Sequence, residues 1–153
     1  MKKFLQILAL SALLFPAAVY AQADDTTRMS MEAVKANQKL MVAMNMDLTD
    51  EEKKTFWPVY DAYQEKRNTI YNELLDLVNT FGSQYQALSD EQAAKILNDY
   101  LAVEDERVAL VKDFTEKFTA VLPAKKVMRF FQIDFKQNLT TLSDIAAIVP
   151  VVR

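Results

Sequence analysis

The chain has 153 residues, of which 51% are hydrophobic and 25% are charged, and its formal net charge is −3. This length and apolar fraction suit one domain with a hydrophobic core. The single glycine is far below the ~7% average, and tight β-turns depend on glycine, so the composition argues against all-β and Rossmann-like folds. The absence of cysteine and histidine excludes disulfides, thiol catalysis, Cys-rich zinc sites and Ser-His-Asp catalysis.

The first residues have the pattern of an export signal. Lys2 and Lys3 precede an almost wholly apolar run at residues 4–15, which Pro16 ends. Ala21-Gln22-Ala23 then places small residues at the two positions that a signal peptidase reads. The apolar run is shorter than the ~20 residues needed to span a bilayer. We therefore expect export, with no stable membrane insertion after processing.

Cleavage is expected after Ala23, with cleavage after Ala21 as the alternative. This prediction makes residues 1–23 a signal peptide and residues 24–153 a single helical domain in the periplasm. Acidic and basic residues are interspersed along the chain, without the basic row that a phosphate backbone requires. Nucleic acid is therefore not an expected partner.

Hydrophobic periodicity predicts an all-α fold with four helices. The predicted segments are residues 29–45, 49–81, 89–122 and a fourth helix from Pro123 to the stop at Pro150. Gly82-Ser83 is expected to end the second helix, because glycine tolerates the left-handed cap conformation. The second and third helices then form a long antiparallel hairpin. Pro58 either bends the second helix or marks where that helix begins.

The second and third helices begin with nearly the same motif. A leucine is followed by a hydroxyl residue at the N-cap and by Glu or Gln three residues later, which is the pattern of a capping box. The residues are Leu48, Thr49 and Glu52 in the first motif and Leu88, Ser89 and Gln92 in the second. Reciprocal capping alone explains both motifs and implies no chemistry.

These paired motifs, in a small exported helical chain, resemble the LTxxQ motifs of the Spy/CpxP family of periplasmic proteins. The block at residues 56–60 (FWPVY) and the Leu122-Pro123-x-Lys125-Lys126 junction are similar to uncharacterised secreted relatives of that family. The resemblance implies a four-helix, cradle-shaped and often dimeric protein. It also implies that the protein binds unfolding or envelope proteins, or acts as an adaptor that modulates envelope-stress signalling, without ATP. A structural envelope protein without a client is a further possibility.

Three aromatic residues on the second helix are candidates for a client-binding surface: Trp57, Tyr60 and Tyr63. The alternative is that residues at this helical spacing form the core. Arg67 interrupts the same apolar face. If the hairpin turns near residues 85–86, Arg67 faces Glu104, and we expect these two side chains to form an ion pair.

Methionines provide the alternative function, a periplasmic metal-binding or metal-responsive protein. Met41, Met44 and Met46 are closely spaced, and thioether sulfur is a soft ligand that can hold Cu(I). The simpler interpretation is that they fill gaps in the core. The acidic clusters at residues 50–52 and 104–106 do not form an evident catalytic carboxylate pair. We therefore expect neither enzymatic activity nor a cofactor.

Overall fold

The computed structural model of the protein describes residues 33–151, apart from the side chains at positions 144 and 148. Within this range the chain forms four α-helices, one 3₁₀ turn and no strand, so the predicted all-α class is confirmed. The helices are α1 at residues 33–45, α2 at Asp50–Gln84, α3 at Asp90–Thr119 and α4 at Ala124–Ile148. The predicted signal peptide lies outside the described residues.

The chain divides into two units between Met41 and Val42. This division lies within α1. In the first unit, the described residues 33–41 are helical. The second unit, Val42–Arg153, contains the hydrophobic core.

The passage from α1 to α2 is fixed by backbone conformation and capping. Asp47 has a φ of 49°, in the left-handed region that Asp tolerates better than most residues. Thr49 then caps α2, which runs for 35 residues. Pro58 lies inside this helix, so the alternative start near Pro58 is wrong. Because proline has no N–H, the helix lacks the hydrogen bond that would reach the carbonyl of Lys54.

The long helices α2 and α3 pack against each other as the predicted hairpin. The predicted end of α2 at Gly82 is wrong, since the helix continues to Gln84 and Gly82 has no positive φ. A 3₁₀ turn at Tyr85–Ala87 follows. Because Gly82 does not adopt the left-handed cap conformation, α2 continues to Gln84. The turn of the hairpin therefore begins closer to α3 than predicted.

The core is concentrated at the open end of the hairpin, which we call the base. Here the end of α1, the first half of α2, the second half of α3 and the start of α4 meet. The buried residues are Val42, Met46, Phe56, Tyr60, Tyr63, Leu110, Phe114, Phe118, Leu122, Val127 and Phe130. Neighbouring aromatic rings in the base lie 4.5–6.2 Å apart between centroids, within the range of favourable aromatic pairs.

The rest of the hairpin buries very few side chains. We call residues 70–107 the distal hairpin, and within it only Leu74 and Val103 are buried. α3 ends at Thr119, three residues before its predicted end, and the turn that follows leads to Pro123. Pro123 precedes the first residue of α4, as expected for a residue that cannot donate a backbone hydrogen bond.

Candidate functional site

Two of the three predicted client-binding aromatics are part of the core. Tyr60 is 2% exposed and Tyr63 is 1% exposed, while Trp57 is half-buried against the same cluster. The prediction is therefore wrong for both tyrosines, because a buried ring cannot contact a client. Burial raises the pKa of Tyr60 to about 12. Burial, and then the neighbouring Asp134 carboxylate, also raise the pKa of Tyr63.

A buried polar network connects α2 with α4, and sequence reasoning did not identify it. The carboxylate of Asp134 accepts hydrogen bonds from the Tyr63 hydroxyl at 2.8 Å, Arg67 Nη1 at 2.6 Å and Asn138 Nδ2 at 2.9 Å. Asn138 Oδ1 accepts from Arg67 Nη1 at 3.2 Å and from the Tyr71 hydroxyl at 3.1 Å. The network therefore fixes the position of α4 along α2 through charge-assisted hydrogen bonds.

The predicted ion pair between Arg67 and Glu104 is wrong about both partners. Arg67 pairs with Asp134 of α4, and Glu104 accepts from Arg107 on its own helix, with 2.7 Å between Glu104 Oε2 and Arg107 Nη2. The prediction considered only the hairpin, whereas α4 supplies the carboxylate at this position. The turn also lies at Tyr85–Ala87, later than assumed, which shifts the residues that face each other.

The buried network is suited to holding the fold together rather than to binding a ligand. Asp134 is 3% exposed and Arg67 is 4% exposed, so a solute cannot reach their charges without displacing α4. Side chains of α2 and α4 donate three hydrogen bonds to Asp134. An arginine in this environment needs a counter-ion and defined acceptors, and the network provides both.

Both predicted capping boxes are confirmed. In the first, Thr49 Oγ1 accepts from the Glu52 backbone N–H at 3.2 Å, and Glu52 Oε2 accepts from the Thr49 N–H at 2.8 Å. In the second, the Ser89 hydroxyl accepts at 3.2 Å, and Gln92 Oε1 accepts at 3.0 Å. Leu48 packs against the core, and Leu88 is half-buried. The motifs therefore begin helices and position leucines, in agreement with a role in reciprocal capping alone.

The first capping box also forms hydrogen bonds with the start of α4. Lys126 Nζ donates to Glu52 Oε2 at 2.5 Å and to the Asp47 carbonyl at 2.9 Å. The hydrogen bond from Lys126, followed by the Thr49 backbone N–H, holds the pKa of Glu52 below its usual range. From the sequence, Lys126 was noted only as part of the Leu122-Pro123-x-Lys125-Lys126 junction. A half-buried Lys126 instead joins the start of α4 to the start of α2.

Two rows of apolar side chains remain on the surface. The α3 row consists of Leu97, Tyr100, Leu101 and Val108, each 42–57% exposed, and the α4 row consists of Met128, Phe135 and Leu139, each 50–60% exposed. Spacings of three, four and seven residues place each row on one side of its helix. These rows differ from the buried faces, and they are the exposed apolar surface that the predicted aromatics do not provide.

The candidate methionines lie in different environments. Met46 is fully buried in the core, Met44 is 73% exposed, and Met41, which belongs to the first unit, is 51% exposed. A site that used all three sulfur atoms would have to withdraw Met46 from the core. The structure thus supports the packing interpretation for Met46.

Comparison of the chain with protein-family models, with functionally described proteins and with solved structures finds no match. Within residues 33–151, no three carboxylates are grouped so that they could hold a metal ion. No helix in that same range has the length and apolar character of a membrane span.

Proposed function

We propose that the protein is an exported, ATP-independent chaperone-like or envelope-stress adaptor protein that binds unfolding proteins. The observation that supports this proposal is the pair of apolar rows on α3 and α4. Each member leaves about half of a large side chain in water. If a large apolar side chain offers on the order of 200 Å², each row presents roughly 300–400 Å², the size of patch that marks an interaction surface.

The position of the α3 row supports binding to varied clients. The row lies at residues 97–108, almost entirely within the distal hairpin, where only Leu74 and Val103 are buried. Regions with few buried apolar contacts open locally at low free-energy cost. A surface on such a region can repack against different partners, as promiscuous binding proteins do.

The absence of a phosphate-binding motif supports the ATP-independent part of the proposal. A P-loop needs at least two glycines, which let its backbone N–H groups surround the phosphates, and this chain has one glycine. Client capture in this proposal depends on apolar contact and on charge at the edges of the rows.

The direct test is suppression of client aggregation, followed by light scattering without nucleotide. We expect suppression at near-stoichiometric ratios for several unrelated clients. Met128→Ser should weaken it, whereas Met44→Ser should not. Both are exposed methionines on helices, but only Met128 belongs to a row. Leu97→Ser combined with Leu101→Ser tests the α3 row in the same way.

Circular dichroism has to show unchanged helicity in each variant, since only then does the scattering report binding. Failure of the unmodified protein to suppress any client at excess would overturn the proposal. Equal losses in the Met44 and Met128 variants would show that the rows are not the binding surface.

A further inference from the structure

The α4 row has a basic edge. Lys125, Arg129 and Lys136 are all exposed, and their spacings of four and seven residues place them on one side of the helix. Within residues 33–151, none of these three side chains forms an ion pair. Among the described side chains of α4, the one carboxylate is that of Asp134, which is buried in the network. The exposed charge beside the α4 row is therefore positive.

The α4 row and its basic edge together face away from the core. At about 100° per residue, the row and the basic edge lie roughly 80° apart around the helix axis. The buried residues Val127, Phe130 and Asp134 lie on nearly the opposite side from the midpoint between them. The row and the edge each extend about 16 Å along the helix. A flat surface that approaches α4 from outside can therefore contact the apolar side chains and the cations at the same time.

The α3 row provides a contrast, because its charged edge is acidic. Glu91, Asp105 and Glu116 are exposed, and their spacings of 14 and 11 residues return them to one side of the helix. Lys112 is the basic residue on that side. The two rows are similar in exposed apolar area, but an anionic surface would attract the edge of the α4 row and repel the edge of the α3 row.

The distribution of charge along the whole chain favours the same helix. Residues 124–148 contain four basic and two acidic residues, a net charge of +2, while the formal net charge of the chain is −3. The remaining residues therefore carry a net charge of −5. Because an anionic surface attracts α4 and repels the rest of the chain, charge orients the protein with α4 towards that surface.

We propose that α4 docks on the surface of a bilayer that contains anionic phospholipid, with the helix axis parallel to the membrane plane. The α4 row enters the boundary between headgroups and acyl chains, and the three cations contact lipid phosphates. A fluid bilayer accommodates the convex outer side of a single helix, whereas a protein partner would need a groove of matching shape. Each cation is expected to raise the partition coefficient about fivefold, and each member of the row adds a similar factor as its exposed half leaves water.

This inference goes beyond the proposed function and shares one surface with it. Docking covers the α4 row and leaves the α3 row available to clients. When the protein is bound to a membrane, client capture is therefore expected to depend on the α3 row alone. Vesicle binding is measured without a client, so the two proposals are tested separately.

The test is flotation of the protein with lipid vesicles. The anionic vesicles contain equal parts of phosphatidylglycerol and phosphatidylcholine, and vesicles of phosphatidylcholine alone are the neutral comparison. We expect the partition coefficient to be at least about tenfold higher for the anionic vesicles. This preference should fall steeply as NaCl is raised to about 1 M, where the Debye length is only about 3 Å.

Two matched pairs of variants locate the docking surface. Leu139→Ser should weaken binding about fivefold, whereas Leu101→Ser on α3 should have little effect, although the two leucines are 50% and 51% exposed. Lys136→Glu should weaken binding at least about tenfold, whereas Lys112→Glu makes the same change of net charge on α3 and should have little effect. All variants share one N-terminus, so these comparisons remove any contribution from the apolar run at residues 4–15. Circular dichroism has to show unchanged helicity in each variant.

Equal binding to neutral and anionic vesicles would overturn the inference, as would equal losses within either pair of variants. Loss of binding in Lys136→Glu but not in Leu139→Ser would reduce the contact to simple ionic attraction and would also overturn docking through the row. The two proposals fail separately. Aggregation suppression without vesicle binding would leave the chaperone role and remove the membrane surface. Charge-dependent vesicle binding without aggregation suppression would do the reverse.

Discussion

The buried network makes a sharp prediction about two carboxylates that both pair with arginine. Asp134→Asn keeps the side-chain shape but removes the carboxylate charge that pairs with the buried Arg67 cation. The side chains of Arg67 and Asp134 are each 4% exposed, whereas the side chains of Arg107 and Glu104 are 41% and 26% exposed. Breaking one partner of a buried pair costs about 3–5 kcal/mol, while a partly exposed pair at i, i+3 contributes roughly 0.2–1 kcal/mol. Asp134→Asn should therefore destabilise the fold by several times as much as Glu104→Gln.

Urea unfolding followed by far-ultraviolet circular dichroism measures this difference, provided that the slope of the transition is unchanged. Adding Arg67→Met to each variant completes two double-mutant cycles. We expect coupling of about 2 kcal/mol or more between positions 67 and 134. Positions 67 and 104 should be additive to within about 0.5 kcal/mol. Coupling above ~1 kcal/mol between Arg67 and Glu104, or equal costs for the two amide substitutions, would refute the observed arrangement.

Four further predictions concern single features. Gly82→Ala should stabilise the fold by about 0.5–1 kcal/mol in thermal unfolding, because Gly82 is helical and an added Cβ meets nothing within 4 Å. Lys126→Met should destabilise the fold at neutral pH. Because the pKa of Glu52 is lowered from 4.5 in the fold, that contribution is present above this value. The gap to the unmodified protein should narrow as unfolding is measured at lower pH, without closing, because the Lys126 hydrogen bond to the Asp47 carbonyl does not titrate. Anaerobic Cu(I) titration should show no tight site that needs all three methionines at residues 41–46, since one is in the core. Hydrogen exchange should be faster in the distal hairpin than in the base.

Features governed by neighbouring residues could be predicted from the sequence. A capping box depends on four consecutive residues, so the starts of α2 and α3 followed from the motifs at Thr49 and Ser89. The long hydrophobic period likewise indicated the hairpin. The end of α2 was less predictable, because glycine permits a left-handed cap without requiring one. Gly82 lies in the helix, and the turn forms after it.

The candidate site depended on α4, whose position no local pattern specifies. Helical spacing shows that Tyr63 and Arg67 share a face, but it does not show which helix covers that face. The carboxylate that pairs with Arg67 lies 67 residues later in the chain. The surface rows can be recognised only once the structure shows which positions of α3 and α4 are buried. After the buried positions of α3 and α4 are removed, the remaining large apolar residues still recur at helical spacing, which a helix with one buried face does not require.

Most buried side chains lie in the base and few lie in the distal hairpin. This separation explains how the chain can expose so much apolar surface and remain folded. Rings such as Phe56, Phe118 and Phe130 contact one another in the base, and such pairs add about 0.5–1.5 kcal/mol beyond the effect of burial. The Asp134 network and the Lys126 contact then position α4 on that base. Stability is thus concentrated in one part of the chain. The α3 row, on the other part, can remain exposed because the fold does not depend on burying it.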